Sequence, residues 1–227
     1  MSYTDLAESY DQVRFSSFNG RFLYELDREV ITGMLAGLDI KNVLDCPTGT
    51  GRVLEYLSAM NLDVTGVDYT TEMLDEARPI AERVGATIMQ GDASKLPFED
   101  ETFDCLISLR FFHLFDTDAR PQFTSEFSRV VRVGGYALVS FTNGWYGGGL
   151  NWAKKKLGRK TVYFESRGEV QRLFPNFEIQ RVRGNFLPKQ YLFDRIPVLG
   201  IAIKKAESVF PVNRLCWERF YLLKRTR

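Results

Sequence analysis

The chain has 227 residues, 44% apolar and 26% charged, with 14% aromatic side chains. That mix suits one globular domain of ordinary size and excludes an intrinsically disordered chain, which lacks the apolar surface to offset chain entropy. A net charge of +1 conceals a split: residues 1–143 hold 12 Lys and Arg against 23 Asp and Glu, and residues 144–227 hold 18 against 6.

The opening MSYTDLAESYDQVR carries acids and no apolar segment, so it does not read as a secretory leader. Phe22, Leu26, Val30 and Met34 then recur every four residues, as on one face of a helix. Five short apolar runs follow, at Asn42–Cys46, Asp63–Val67, Thr87–Gln90, Cys105–Leu109 and Tyr136–Phe141. Runs of that length between turn signals read as strands covered on both faces. Helical patterns separate them, with Val53, Leu54 and Leu57, then Met73, Leu74, Ala77 and Ile80, then Phe123, Phe127, Val130 and Val131 on their apolar sides. Strand–helix alternation predicts an α/β fold with a parallel sheet and helices on both faces.

The pattern changes after Phe141. NGWYGGGL (Asn143–Leu150) reads as a loop and leads into basic residues at Lys154–Lys156, Arg159 and Lys160. Ser166 and Glu169 have the spacing of a capping box, which predicts a helix through Phe174 that Pro175 stops. Phe177–Arg183 alternates like a half-exposed strand, Asn185–Leu215 reads as an amphipathic helical insertion broken by three prolines, and Trp217–Leu223 is a candidate last strand. The longest unbroken apolar run, Ile196–Ile203, falls short of the roughly 18 residues of a spanning helix. Three cysteines without CxxC spacing argue against a disulfide framework or a zinc site, and a reducing cytoplasm is the expected compartment. The expected organisation is a single domain, with an N-terminal helical segment (1–40), a core (41–142) and a basic, aromatic region (143–227).

The first strand ends at Asp45 and runs into VLDCPTGTGR, where Gly49 and Gly51 allow a tight turn and a close approach by a ligand. Leu54 stands where a dinucleotide fingerprint has its third glycine, and no Lys follows as in a phosphate loop. An acid before the loop suits a ligand with a cationic group. Asp68 ends the second strand in TGVDYTTEMLDEAR, where a carboxylate can accept from two ribose hydroxyls, and Asp92 ends the third in QGDASKLPF. Capping of the next helix explains either acid singly. Three acids after three successive strands place them on the carboxyl edge of the sheet, where open α/β sheets bind ligands.

These blocks, with LRFFHLF and RVVRVGGYALVSF, resemble the class I S-adenosylmethionine-dependent methyltransferases, in particular the Methyltransferase-11-type domains that act on small molecules. The likeness covers roughly residues 40–142. Pro47 departs from it, standing where many members have a glycine. With the strand pattern, the resemblance implies a Rossmann-like open sheet of seven strands, mostly parallel with an antiparallel final strand, and a helical insertion before that strand. It implies S-adenosyl-L-methionine as cofactor and S-adenosyl-L-homocysteine as product. Asp45, Pro47, Gly49 and Gly51 then hold the methionine end, Asp68 the ribose, and Tyr69 and Met73 the adenine face. Asp92 and Ala93 meet the adenine edge, and Leu109 and Arg110 line the floor near the sulfonium. Core packing accounts equally well for Tyr69 and Met73.

His113 is the sole histidine, and because histidine as a residue type changes charge near neutrality it is the candidate general base. Orientation of backbone at a helix start fits the same residue. Tyr10, in AESYDQV, is a candidate lid residue, with packing on the domain edge as its alternative. The expected reaction is in-line methyl transfer to a small or lipid-like acceptor. One histidine and no cysteine pair disfavour a metal-dependent catechol methylation. The basic, aromatic C-terminal region has several readings: a grip on an anionic small molecule, contact with an anionic membrane surface, an RNA track in a tRNA or rRNA methyltransferase, or a lid with a solvated basic face. A non-catalytic cofactor-binding module is the remaining alternative.

Overall fold

The computed structural model describes residues 18–142, 166–185, 216 and 218–227. Tyr10, the basic run at 154–160 and nearly all of the expected helical insertion lie outside these residues.

Helix α1 (Phe18–Leu35) ends where Gly37 takes φ +77°, the left-handed turn that commonly closes a helix. Its buried side is Leu26, Ile31, Met34 and Leu35, so Leu26 and Met34 of the expected stripe are buried while Val30 is only half-buried. Asp27 lies on that buried side as well. Strands β1 (Asn42–Asp45), β2 (Asp63–Asp68), β3 (Thr87–Gln90), β4 (Phe103–Ser108) and β5 (Val131–Thr142) pair in parallel. Helices α2 (Arg52–Leu57), α3 (Thr71–Val84) and α4 (Arg120–Val130) connect β1 to β2, β2 to β3 and β4 to β5. Strand β5 begins five residues before the expected start because α4 passes straight into it at Val131. Gly135 permits this: a Cβ there would stand 2.7 Å from the Asp104 carbonyl oxygen.

The expected capping box forms. Ser166 Oγ accepts from the Glu169 amide, and Glu169 Oε2 accepts from the Ser166 amide, opening α5 (Arg167–Leu173). Strands β6 (Phe177–Asn185) and β7 (Glu218–Arg225) complete a seven-stranded sheet of order β3-β2-β1-β4-β5-β7-β6. The final strand is antiparallel to both neighbours and lies between β5 and β6.

Alternate residues of the central strands feed two cores. Leu44, Leu106 and Val139 join Phe123 and Phe127 of α4 and Val170 of α5 on one face. Val43, Cys105, Ile107 and Leu138 join Ile31 and Met34 of α1 and Leu54 and Leu57 of α2 on the other. With both faces covered, the ends of the strands are left to bind ligands. The strand order reverses at β1, between β2 and β4, and a crevice opens at the carboxyl ends of strands where such a reversal occurs.

Candidate active site

Asp45 closes β1 with its side chain wholly buried. Its Oδ2 accepts from the Thr48 hydroxyl at 2.7 Å, and its Oδ1 has no hydrogen-bond partner. Burial pushes its carboxyl up to about 8; the Thr48 bond opposes that rise, the charge of Asp68 adds to it, and Arg52 opposes it. The loop beyond is stitched to both neighbouring strands, with the Cys46 amide donating to Ile107 O and the Thr48 amide to Val67 O. The Cys46–Pro47 peptide bond is cis, and Pro47 is half-buried. Gly49 (φ +54°) has open space where a side chain would stand, and Gly51 (φ +84°) starts α2 with Ala77 of α3 pressed against it.

Because the raised carboxyl binds its proton more tightly in the folded chain than in the unfolded one, it withdraws stability as pH rises from about 4 to about 8. Asparagine at position 45 keeps the shape and carries no proton to lose. The melting temperature of the wild type minus that of Asp45→Asn is therefore expected to fall by several degrees across this window in scanning calorimetry without ligand. A difference independent of pH would contradict the assignment.

Asp68 closes β2 and is 7% exposed. Its Oδ2 accepts from the Gly49 amide at 2.9 Å, and its Oδ1 from the Thr70 amide and hydroxyl at 3.0 and 3.1 Å. A carboxylate offers about four acceptor positions, so Oδ2 keeps one open and Oδ1 gains one when the Thr70 hydroxyl turns away. Tyr69 is 70% exposed, and its carbonyl accepts from the Gln90 side chain. Met73 is half-buried on α3. Strand β3 stops at Gln90, so Asp92 stands two residues past the strand rather than at its end. Its side chain is exposed, and its Oδ1 accepts from the Ser94 amide and hydroxyl, a local turn of the kind Asp makes readily. Ala93 is half-buried beside it.

Past β4, Leu109 is half-buried and Arg110 takes φ +54°. The Arg110 amide donates to Ser140 Oγ of β5. Its guanidinium does not stand free beside the crevice: Nη2 reaches both oxygens of Asp27 at 2.7–2.9 Å, and Nε and Nη2 reach Glu218 Oε2 at 3.0 and 2.8 Å. Burial opposes its charge, yet the two carboxylates raise its pKa above that of an ordinary arginine. Arg52, the first residue of α2, lies 4.0 Å from Asp27 Oδ2. His113 is exposed in the short 3₁₀ turn Phe112–Leu114. Sequence reasoning missed Thr48, Asp27 and Glu218. An acid among the apolar positions of α1 was the one legible sign of the network.

The structure thus gathers Asp45, Asp68, Asp92 and the Gly49–Gly51 loop at the carboxyl edge of one sheet. The residues fit a ligand with a cationic nitrogen and vicinal hydroxyls: a buried carboxylate oxygen lacks a partner, a second acid keeps acceptor capacity, and the space beside Gly49 is open. Strand order, glycine loop and acids are arranged as the resemblance to the class I S-adenosylmethionine-dependent methyltransferases implies.

Residues 43–135 match the family model described as a methyltransferase domain. It is 36% identical over 137 residues to a demethylmenaquinone methyltransferase of Roseiflexus sp. (strain RS-1), across 58% of this chain and 55% of that protein. It is 36% identical over 101 residues to a phosphatidylethanolamine N-methyltransferase of Cereibacter sphaeroides, across 43% of this chain and 48% of that one. The chain therefore spans about half the length of these curated relatives. A Thermotoga maritima structure described as a possible histamine N-methyltransferase superposes with a TM-score of 0.65 at 18% identity, covering 98% of this chain and 95% of the other. Among the described residues, no helix is long and apolar enough to cross a membrane.

Proposed function

We propose that this protein transfers the methyl group of S-adenosyl-L-methionine to a lipid-like small molecule. The observation that carries the cofactor half is the bare, buried Asp45 Oδ1 beside an open glycine loop. An unpaired buried oxygen costs about 1–3 kcal/mol, and an ammonium group relieves that cost. Bound there, the cofactor supplies a methyl group already activated by its sulfonium, so the chain needs no nucleophile of its own. Asp45 receives the amino group, giving up to solvent the proton that burial otherwise holds on it, and Asp68 receives the ribose hydroxyls. Tyr69 presents its exposed ring to the adenine, with Asp92 and Ala93 at the adenine edge. The turn at Leu109 and Arg110 borders the reacting end. His113, exposed just beyond that turn, takes the proton of an acceptor that must lose one.

Two observations support the acceptor half. Both curated relatives are named for lipid acceptors. Residues 144–227 combine 18 basic side chains with many aromatic ones, which suits an acceptor with an apolar body and an anionic or surface-bound head. The test is incubation with methyl-tritiated S-adenosyl-L-methionine and, separately, total lipid extract and total RNA. Label is expected in the organic phase of the lipid reaction. Label in RNA alone would replace this reading with the nucleic-acid one.

A further inference from the structure

Arg110 spends its side chain inside the protein. Its guanidinium joins Asp27, 83 positions earlier, to Glu218, 108 positions later, and both acids are at most 7% exposed. Its amide is tied to Ser140, and Arg52 at the head of the glycine-loop helix approaches the same Asp27. Five segments bordering the carboxyl edge thus meet in one network, four at Arg110 (α1, the β4 turn, β5 and β7) and the start of α2 through Asp27. The backbone there is in the left-handed region, which a non-glycine residue occupies at a cost and keeps only where its surroundings enforce it. A purely structural clasp is expected to saturate its polar atoms. This one leaves Glu218 Oε1, and Ser108 Oγ at the end of β4, buried without hydrogen-bond partners.

We propose that Arg110 is a positioning residue: by clasping Asp27 and Glu218 it fixes the β4 turn against the start of α2, and so sets the grip on the methionine end of the cofactor without touching it. The inference rests on the cofactor reading above. It also specifies a direction. The nucleoside end lies toward β2 and β3, and the clasp lies toward β4 and β7 on the other side of β1. The network therefore acts on one end of the ligand only.

The probes are S-adenosyl-L-homocysteine and adenosine, titrated calorimetrically into the full chain. Arg110→Lys retains the charge and loses the planar fork. Arg110→Gly adopts the positive φ freely and loses the clasp. Asp27→Asn is isosteric and changes no residue of the turn, so it carries the test if an Arg110 variant loses its cooperative melt. All three are expected to bind S-adenosyl-L-homocysteine at least about tenfold more weakly, the loss that a small misplacement of a binding turn produces, with adenosine affinity held within about twofold. Asp27→Asn added to Arg110→Gly is expected to cause little further loss, because both remove one shared interaction.

Three results would overturn the proposal. One is wild-type affinity in the glycine variant. Another is an equal loss for both probes, the mark of general loosening. The third is multiplication of the two single effects in the double variant. Failure of the wild type itself to bind S-adenosyl-L-homocysteine refutes the cofactor reading instead, and is distinguishable because no variant is needed to see it.

Discussion

Asp68→Ala is expected to weaken S-adenosyl-L-homocysteine binding by more than about 100-fold while the chain stays folded. Two losses combine. The carboxylate is the acceptor for the Gly49 and Thr70 amides, and each charge-assisted bond is worth about 1.5–3 kcal/mol. Its removal frees the glycine loop from the tip of β2 and also removes the acceptor proposed for the ribose. Since each 1.4 kcal/mol is tenfold in affinity, the two together exceed two decades. Asp68→Asn keeps an oxygen for one amide and is expected to fall in between. Calorimetric titration measures both, with a thermal melt to verify the fold. Binding within threefold of wild type would remove Asp68 from the site.

Gly51→Ala is expected to have the largest effect on the fold itself. Position 51 holds φ +84°, and an added Cβ would stand 3.1 Å from the Ala77 Cβ and 3.3 Å from its Cα, both on a fully buried residue of α3. Left-handed strain and overpacking together cost about 2–4 kcal/mol, which lowers the melting temperature by roughly 4–16 °C in a domain of this size. Gly85→Ala is the internal comparison. Its φ is +72°, but its Cβ would meet nothing within 4 Å, so it shows the backbone cost alone. Equal losses at the two positions would mean that the contact between α2 and α3 carries no weight.

What could be read from the chain beforehand was what is local. Asp45 and Asp68 close their strands as expected because a polar residue at the end of an apolar run marks the exit from the sheet. The Ser166–Glu169 box forms because both of its hydrogen bonds span three residues. Asp92 shows the limit of such reasoning: β3 stops at Gln90, two residues before it, and Ser94 supplies the donors that draw it into a turn. The ionic clasp was legible only as an oddity. Asp27 reads as a flaw in an apolar stripe, and Glu218 as an ordinary charge before a strand. Neither betrays its partner, because pairing across 83 and 108 positions is a property of the folded sheet. The early start of β5 was missed for a related reason. Val130 and Val131 satisfy helix and strand patterns equally, and the tight fit of Gly135 against Asp104 O decides between them.

The placement of β7 between β5 and β6 has a consequence for biosynthesis. Strand β6 is translated before β7, its sole sheet partner among the described residues, so it leaves the ribosome before that pairing edge can be satisfied. Exposed strand edges invite pairing with other chains. Until residues 218–225 emerge and enter the gap, the described part of the nascent polypeptide holds five strands with their parallel partners already made and one strand still waiting for its own. That interval is where holding by a chaperone would matter most for this protein.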